Sequence, residues 1–473
     1  MEEEIMKKGL LILIIMFFGT AVYADVTFSI TGDAWERGDF IRNQAFLDKV
    51  LGATPVNTSQ AFYDGAFFLY PKLTIDKAEI NMKLDIRQED WDSQEPNGAT
   101  NPSETLKNNL WVERAYITYH FTENSTLDVG LQEGGAWGST FSDFQGNFYR
   151  IVYAQKTPVG LYGALLEKMA EAGNNPDKPD QNKNDGDDYA LFGITKVGDV
   201  WVHPLLYYIN WSSGLTESPF NGLAPAKIFY FALELNGNLG PVSFDSEFGF
   251  KNYKFTDTGA QEAISTAELG APTTWKDSNT WGLYVNVFKT LDVAKPGITL
   301  VYDSWDKNGG LRNPVTGDAM GWGFDSGNDF KSNLIFGGKG VDSENPISAP
   351  LGENKFTVDY TDGQDMMAFT MIKPYVADIW TPLPNLTANA SFSYMFSNQK
   401  DTMWDGAKAY EVDFGVAYQL AKNVVYSIEA GYGKCTLSST GKTDAALTGV
   451  TKAPISQNPD AIYAIQHMIK ITF

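Results

Sequence analysis

Charged side chains recur at alternate positions of the segment 78–87. Glu79, Lys83, Asp85 and Arg87 share one parity. The other parity is apolar, with Ala78, Ile80, Met82, Leu84 and Ile86. This period of two is that of a β-strand, whose successive side chains point to opposite faces. A face lined by acids and bases can hold water and sort ions by charge, so this segment predicts a strand between an aqueous and an apolar environment.

Histidine and cysteine, which often carry nucleophilic or metal chemistry, are scarce. The histidines are His120, His203 and His467, and the single cysteine is Cys435. None of the histidines lies in a recognisable Ser-His-Asp motif, and they lack the spacing of metal ligands. One cysteine permits no intrachain disulfide and no zinc cluster. We therefore predict that the protein is not an enzyme and that it has no cofactor and no metal.

The composition restricts the class of protein. The formal net charge is −22, which argues against nucleic-acid binding. After residue 24 the sequence contains no apolar run long enough for a transmembrane helix, yet aromatic residues make up 14% of the chain. A membrane protein without such helices must close its backbone hydrogen bonds between strands, in a barrel.

The N-terminus resembles a secretory signal. Lys7 and Lys8 precede the apolar run 9–19, and Val22-Tyr23-Ala24 provides a small residue at the cleavage position. We predict a cleaved signal peptide over residues 1–24 and a single barrel domain over 25–473. The alternative is an uncleaved membrane anchor, but the apolar run is about half the length that spans a bilayer.

The C-terminal segment 461–473 has the clearest period of two. Its apolar parity consists of Tyr463, Ile465, Ile469, Ile471 and Phe473, with His467 as the exception. The other parity includes Gln466, Lys470 and Thr472. The pattern predicts a strand with one apolar and one polar face that ends on an aromatic residue.

Similar segments follow one another along the chain, starting with a first strand over 26–31 and a polar loop over roughly 36–60. Short turns and long loops alternate between these segments. This alternation is typical of a membrane barrel, in which one rim carries short turns and the other carries long loops. We predict an all-β fold, a transmembrane antiparallel up-and-down β-barrel of about 18 strands, with roughly 16 as the alternative. The rival fold is a soluble, secreted β-sandwich or β-helix, but a sandwich gives no reason for the alternating connections.

Barrels of roughly 16–18 strands leave an aqueous channel, so the charged parity should face a pore. The predicted basic wall includes Lys72, Lys77, Lys83, Arg87, Arg114 and His120, with Glu79, Asp85 and Asp128 nearby. Later strands contribute Glu234, Asp245, Glu247, Asp303, Glu411, Asp413 and Glu429. The sequence thus predicts a basic wall and an acidic wall.

Two segments joined by a short turn resemble a strand pair of bacterial outer-membrane porins. Arg114-Ala-Tyr-Ile-Thr-Tyr is followed by Leu127-Asp-Val-Gly-Leu-Gln132, then by the glycine-rich loop 133–147, although Leu131 stands where many porins have arginine. In that family the third long loop folds into the barrel and narrows it. The resemblance implies a constriction in which Glu133 and Asp143 face the basic residues across the lumen. The predicted pore-lining or constriction residues are Lys83, Asp85, Arg87, Arg114, Asp128, Glu133 and Asp143.

The resemblance implies an outer-membrane porin of a Gram-negative bacterium, with passive diffusion of small hydrophilic solutes and ions. Because acids outnumber bases on the predicted lumen wall, we expect a weak cation preference. The expected partners are these solutes and outer-membrane lipid, with no nucleic acid. We expect the chain to be a homotrimer or a monomer. Two alternatives stay open, a polysaccharide export channel similar to those for alginate and a barrel-anchored adhesin that binds through its loops.

Overall fold

The computed structural model describes residues 26–42, 60–90, 111–143, 146–170, 186–211, 226–255, 275–311, 321–324, 330, 333–335, 368–400, 405–436 and 461–473. The predicted signal peptide lies outside these residues. Among the described residues, no helix is long and apolar enough to cross a membrane.

The described chain forms a closed antiparallel barrel of 18 strands. Each strand pairs with its neighbours in sequence, and the first pairs with the last, as Ala34 with Ile471. The predicted fold class is therefore confirmed. The barrel strands are β1 Val26–Arg42, β2 Gln60–Ile75, β3 Ala78–Asp90, β4 Trp111–Thr122, β5 Ser125–Gly134, β6 Gly146–Thr157, β7 Gly160–Ala170, β8 Gly186–Val197, β9 Val200–Trp211, β10 Ala226–Leu239, β11 Val242–Phe255, β12 Ser278–Phe288, β13 Lys295–Asp303, β14 Phe369–Trp380, β15 Leu386–Ser397, β16 Lys408–Ala421, β17 Val424–Thr436 and β18 Ile462–Thr472.

Short turns join each even-numbered strand to the next at one rim, which we call the short-turn rim. At the β2–β3 turn, Asp76 has a φ of 52°, a left-handed conformation that aspartate tolerates better than most residues. The opposite rim carries the long connections and is called the long-loop rim. The chain end lies toward the short-turn rim, where Phe473 and Gly32 exchange two backbone hydrogen bonds of 2.9 Å.

The first strand is longer than the sequence predicts. The prediction of a loop from Glu36 is wrong, because β1 continues to Arg42. In this extension Glu36 pairs with Gly65 on β2 and with Ile469 on β18. Backbone pairing on both sides maintains the strand where the side-chain pattern loses its apolar parity.

The outer face of the barrel is apolar and has exposed aromatic residues toward both rims, as membrane barrels do. Toward the short-turn rim these include Phe121, Tyr162, Tyr418 and Phe473, and toward the long-loop rim Tyr63, Tyr149, Tyr189 and Tyr463. Between the rims the exposed side chains are mainly aliphatic or aromatic, such as Leu283, Leu300 and Phe392. The polar parity of each strand therefore faces the lumen.

Candidate functional site

The lumen wall on β2–β7 is lined by ion pairs between neighbouring strands. Four basic side chains of the predicted basic wall, or adjacent to it, each contact an acid one strand away. The N–O distances are 2.9 Å for Lys72–Glu79, 2.8 Å for Lys83–Glu113, 2.6 Å for Arg114–Glu133 and 2.8 Å for Arg150–Glu167. The acids of these pairs offset the basic charge that the sequence assigns to this wall.

Lys83 lies deepest in this wall, with a side chain that is only 2% exposed. Its ammonium group lies 4.4 Å from the centre of the Phe68 ring, at cation–π distance. Asp85, also buried, accepts a hydrogen bond of 2.9 Å from Nε1 of Trp111. Both predicted lumen residues therefore lie inside the barrel in defined contacts.

Glu113 is a lumen residue that the sequence reasoning missed. Strict alternation places it on the face opposite to Arg114, but the β3–β4 register shifts between Lys83 and Leu84. Such a bulge sets two residues of one strand opposite one residue of the other. Glu113 thereby contacts both Lys83 and Arg114, the latter at 3.4 Å. No feature of the sequence marks the bulge.

The expected position of Glu133 across the lumen from Arg114 is wrong. Glu133 lies on β5, the strand next to Arg114, and the two side chains form an ion pair. Arg114 also donates a hydrogen bond of 3.1 Å from Nε to Oδ1 of Asn147, which flanks the same loop. These contacts fix the start of the loop to the wall from which it emerges.

Two other predicted lumen residues have less defined surroundings. Asp128 lies on β5 between Thr118 and Val152 on the adjacent strands. Arg87 pairs through its backbone with Phe67, beside a register shift in β2–β3, and its side chain lies outside the described residues. The roles of all seven predicted residues in a constriction stay predictions.

Loop three, which connects β5 to β6 and is described for 135–143, folds into the lumen. Gly135 and Gly138 have φ values of 77° and 76°, which glycine adopts without strain. A single 3-10 turn follows over Thr140–Ser142. Asp143 closes the loop on itself, because its Oδ1 accepts a hydrogen bond of 2.7 Å from the backbone N–H of Trp137.

Loop three is bound to the wall formed by β9–β11. Oε2 of Glu247 accepts hydrogen bonds from the backbone N–H of Ser139 at 2.9 Å and from its hydroxyl at 2.6 Å. The hydroxyl of Ser142 donates to Oε1 of the same carboxylate and lies 2.5 Å from the Tyr230 hydroxyl. One buried carboxylate on β11 thus holds both ends of the short turn.

The tip of loop three continues into an aromatic cluster. Phe141 is fully buried and stacks on Phe324 and Tyr284, with ring-centre distances of 5.6 and 5.9 Å. Phe330 meets it edge-on at 5.2 Å. The barrel wall is adapted to these rings, since a Cβ on Gly282 would lie 2.8 Å from Cζ of Phe141 and would overlap the ring of Phe324. We call Phe141, Phe324, Phe330 and Tyr284 the aromatic cluster.

Phe324 and Phe330 belong to the long connection between β13 and β14, so a second loop also reaches the lumen. At its described residue Ile335, the backbone N–H donates a hydrogen bond of 2.6 Å to Oε1 of Glu411 on β16. Leu334 and Ile335 pack with the inward side chains of β13–β17, including Met371 and Met395. The two loops therefore cover the β9–β17 wall and contact each other through the aromatic cluster.

The three histidines lie on different strands, β4, β9 and β18. His203 contacts the Glu234 carboxylate, and His120 lies 3.5 Å from Glu79. His467 is on the outer face, between Tyr63 and Tyr426 at 5.8 and 6.1 Å. Among the described residues, no group of three or more His, Cys, Asp or Glu side chains is placed to hold a metal ion.

No family model and no curated protein matches the chain. Solved structures do match: OccK2 (OpdF) of Pseudomonas aeruginosa has 8% identity and a TM-score of 0.50, covering 94% of this chain and 98% of that chain. OccK8 (OprE) of the same organism has 10% identity and a TM-score of 0.48, with coverages of 94% and 98%. The outer membrane channel DcaP of Acinetobacter baumannii has 12% identity and a TM-score of 0.42, with coverages of 95% and 97%. The structural neighbours are thus outer-membrane porins, and at these identities the likeness shows the fold alone.

Proposed function

We propose that the protein is an outer-membrane channel through which small hydrophilic solutes and ions diffuse passively. The observation that carries this proposal is the pairing of an apolar outer face with a charged inner face in a closed barrel of 18 strands. In lipid, a closed barrel satisfies the backbone hydrogen bonds of every strand, because it has no unpaired edge strand. At about this strand number its interior is wide enough for water.

The inward loops support a narrow passage rather than an open cylinder. Loop three and the β13–β14 connection cover the β9–β17 wall, so the free cross-section lies toward the ion pairs of β2–β7. A solute that enters would contact charged and hydrogen-bonding groups on that side, such as Lys83, Glu113 and Arg114. Polar solutes gain from such contacts and apolar ones do not.

We infer a weak preference for cations. On β2–β7 each base of the four ion pairs is balanced by an acid. On the inner face of β10–β17, the acids outnumber the lysines Lys251, Lys295 and Lys373 among the described residues. These acids are Glu234, Asp245, Glu247, Asp303, Glu411, Asp413 and Glu429. A low-dielectric wall focuses the resulting negative potential into the lumen and enriches cations there.

The proposal includes no enzymatic activity and no cofactor. It includes export by a signal peptide over residues 1–24 and insertion in the outer membrane of a Gram-negative bacterium. An N-terminus at Asp25 in protein isolated from outer membranes would support both statements. Protein recovered in the periplasm as a water-soluble species would contradict them.

Planar-bilayer recording tests the channel directly. Purified protein should produce discrete conductance steps, and a salt gradient should give a reversal potential of the sign expected for cation preference. Liposome swelling with sugars of increasing size should show a size limit set by the inward loops. Silent bilayers and unswollen liposomes, with protein shown to be folded and inserted, would refute the channel.

A further inference from the structure

A cavity of about 410 Å³ lies where β18 ends against β1 and β2, and we call it the β1–β18 cavity. This volume is within the range of small-molecule sites in proteins. Phe473 contributes to its lining, which places the cavity toward the short-turn rim. The side chains that the argument uses are Thr31, Asp33, Phe68, Tyr70, Lys470 and Thr472.

These six side chains belong to the inner face of the barrel. Asp33 pairs with Phe68 on β2 and with Thr472 on β18, and residues that are directly opposite in register share a face. The Phe68 ring also contacts the ammonium group of Lys83 in the lumen wall. In the ring of 18 strands, β1 lies opposite β10, so the cavity is across the lumen from the wall that binds loop three. A solute that has passed the loops can reach it.

Two opposite charges line this cavity and do not neutralise each other. Asp33 and Lys470 lie on adjacent strands, and both side chains are partly exposed. Among the described residues, neither forms an ion pair. Oδ1 of Asp33 accepts a hydrogen bond of 2.7 Å from the Tyr70 hydroxyl on β2, whereas Lys470 lies on β18, on the other side of β1. This hydrogen bond holds the carboxylate apart from the ammonium group.

The separated charges distinguish the cavity from the neighbouring lumen wall. There the bases Lys72, Lys83 and Arg114 each contact an acid on the next strand. A base that is already paired has less to offer a passing carboxylate. Asp33 and Lys470 keep their charges available, so this is the place on the wall where both a positive and a negative group can meet a solute.

The charges select among solute classes. A solute with one charge gains from one of the two side chains and is repelled by the other. A neutral sugar can use the hydroxyl groups of Thr31 and Thr472, but it leaves both charges uncompensated. A solute with a positive and a negative group forms charge-assisted hydrogen bonds with both, and it is the class that complements the lining.

We propose that the β1–β18 cavity binds small zwitterions of the α-amino acid class. The carboxylate of the solute contacts Lys470, and its ammonium group contacts Asp33. This inference rests on the proposed channel function, to which it adds a substrate class. Weak binding inside a channel favours entry and still permits release, so the flux of a bound solute saturates with concentration.

Three solutes of similar size test the charges separately. L-alanine carries both charges, lactate has only the carboxylate and choline has only the positive charge. Exchange of each radiolabelled solute across proteoliposomes, at equal concentrations inside and outside, avoids a membrane potential. With the wild type, the exchange rate of L-alanine should saturate, whereas those of lactate and choline should rise in proportion to concentration. Proportional rates for all three, corrected for protein-free liposomes, would overturn the proposal.

Asp33→Asn and Lys470→Met each remove one charge from the cavity. Each should raise the half-saturating concentration of L-alanine roughly tenfold, the effect of losing a hydrogen bond to a charged group. Asp33→Asn should also make lactate exchange saturable, because Lys470 then has no acid beside it. A purely structural role of Asp33 would not produce this change of preference.

Lys295→Met is the matched control. It removes an inner-face lysine at the start of β13, away from the β1–β18 cavity, and should leave the half-saturating concentration at the wild-type value. Equal changes from Lys295→Met and Lys470→Met would overturn the assignment to this cavity. Heat-modifiable migration on unboiled gels checks that each variant is folded, and Lys470→Met alone decides if Asp33→Asn does not fold.

Saturation-transfer NMR on the detergent-solubilised barrel measures binding without transport. The methyl signal of L-alanine should show transfer from the wild type and from Lys295→Met, but not from Lys470→Met. Unchanged transfer from Lys470→Met would overturn the proposal.

Conductance of the same preparations separates this proposal from the channel function. Wild-type conductance steps with unsaturable L-alanine exchange would overturn the zwitterion site and leave the channel intact. Wild-type protein that binds L-alanine in detergent but gives neither conductance nor exchange would count against the channel alone.

Discussion

The two walls of the lumen are held in different ways. On β2–β7 the wall consists of ion pairs between adjacent strands. Some are partly exposed, such as Arg114–Glu133, with side chains 18% and 30% exposed, whereas Lys83 is buried in its pair with Glu113. On β9–β17 it is covered by two loop segments that meet in the aromatic cluster and are bound to the buried carboxylates Glu247 and Glu411. Exposed ion pairs contribute little to stability, whereas buried rings and buried hydrogen-bonded charges contribute much more. The first wall should therefore tune selectivity, and the second should set the size of the passage.

The largest effect is expected from removing the rings that join the two loops. Phe141→Ala combined with Phe324→Ala should cost about 3–5 kcal/mol per ring in loop packing. Both loops should then leave the wall, so single-channel conductance and the size limit for sugars in liposome swelling should rise. Phe248→Ala on the outer face is the matched control and should change neither. Unchanged conductance in the double variant would show that these loops do not limit the passage.

A smaller effect is expected from the carboxylate that binds loop three. Glu247→Ala removes the acceptor for Ser139 and Ser142, and hydrogen bonds to a charged group contribute about 1.5–3 kcal/mol each. We expect noisier open-channel current and a moderate rise in conductance. Glu429→Gln, which removes an inner-face charge on β17, should leave the noise at the wild-type level. If both variants are equally noisy, Glu247 acts through its charge and not through loop three.

Selectivity should respond to the ion-paired wall. Lys83→Ala combined with Arg87→Ala leaves Glu113 and Asp85 in excess, so cation preference should increase. Glu133→Ala combined with Asp143→Ala should decrease it. If the lost charges change the difference in permeation free energy between cations and anions by about 0.5–1 kcal/mol, the permeability ratio changes roughly two- to fivefold. Reversal potentials under a salt gradient measure it. An anion-selective wild-type channel, or no shift in either variant, would contradict the assignment of the constriction.

The smallest effect is expected at the edge of the same wall. Lys72 and Glu79 form a 2.9 Å ion pair in which the lysine side chain is 43% exposed. Lys72→Ala should change the free energy of unfolding by less than about 0.5 kcal/mol. Denaturant-induced unfolding of the detergent-solubilised barrel measures this change. A loss as large as that from Glu247→Ala would erase the distinction between the two walls.

The sequence by itself determined the class of fold. A period of two, repeated from β1 to β18 with alternating short and long connections, predicts a barrel of about 18 strands, because each strand must present one face to lipid and the other to water. The same period placed Lys83, Asp85 and Glu247 on the inner face. These features depend only on neighbouring residues along one strand.

Tertiary structure decided what alternation cannot encode. The register shift that turns Glu113 inward arises from pairing between β3 and β4, and no residue type marks it. The extension of β1 through Glu36 depends on β2 and β18, which flank it on both sides. The attachment of loop three to Glu247 joins residues 108 positions apart for Ser139, a contact that exists only once the barrel has closed. Strand faces are local properties of the chain, whereas bulges and inward loops are set by partners that only the closed barrel brings together.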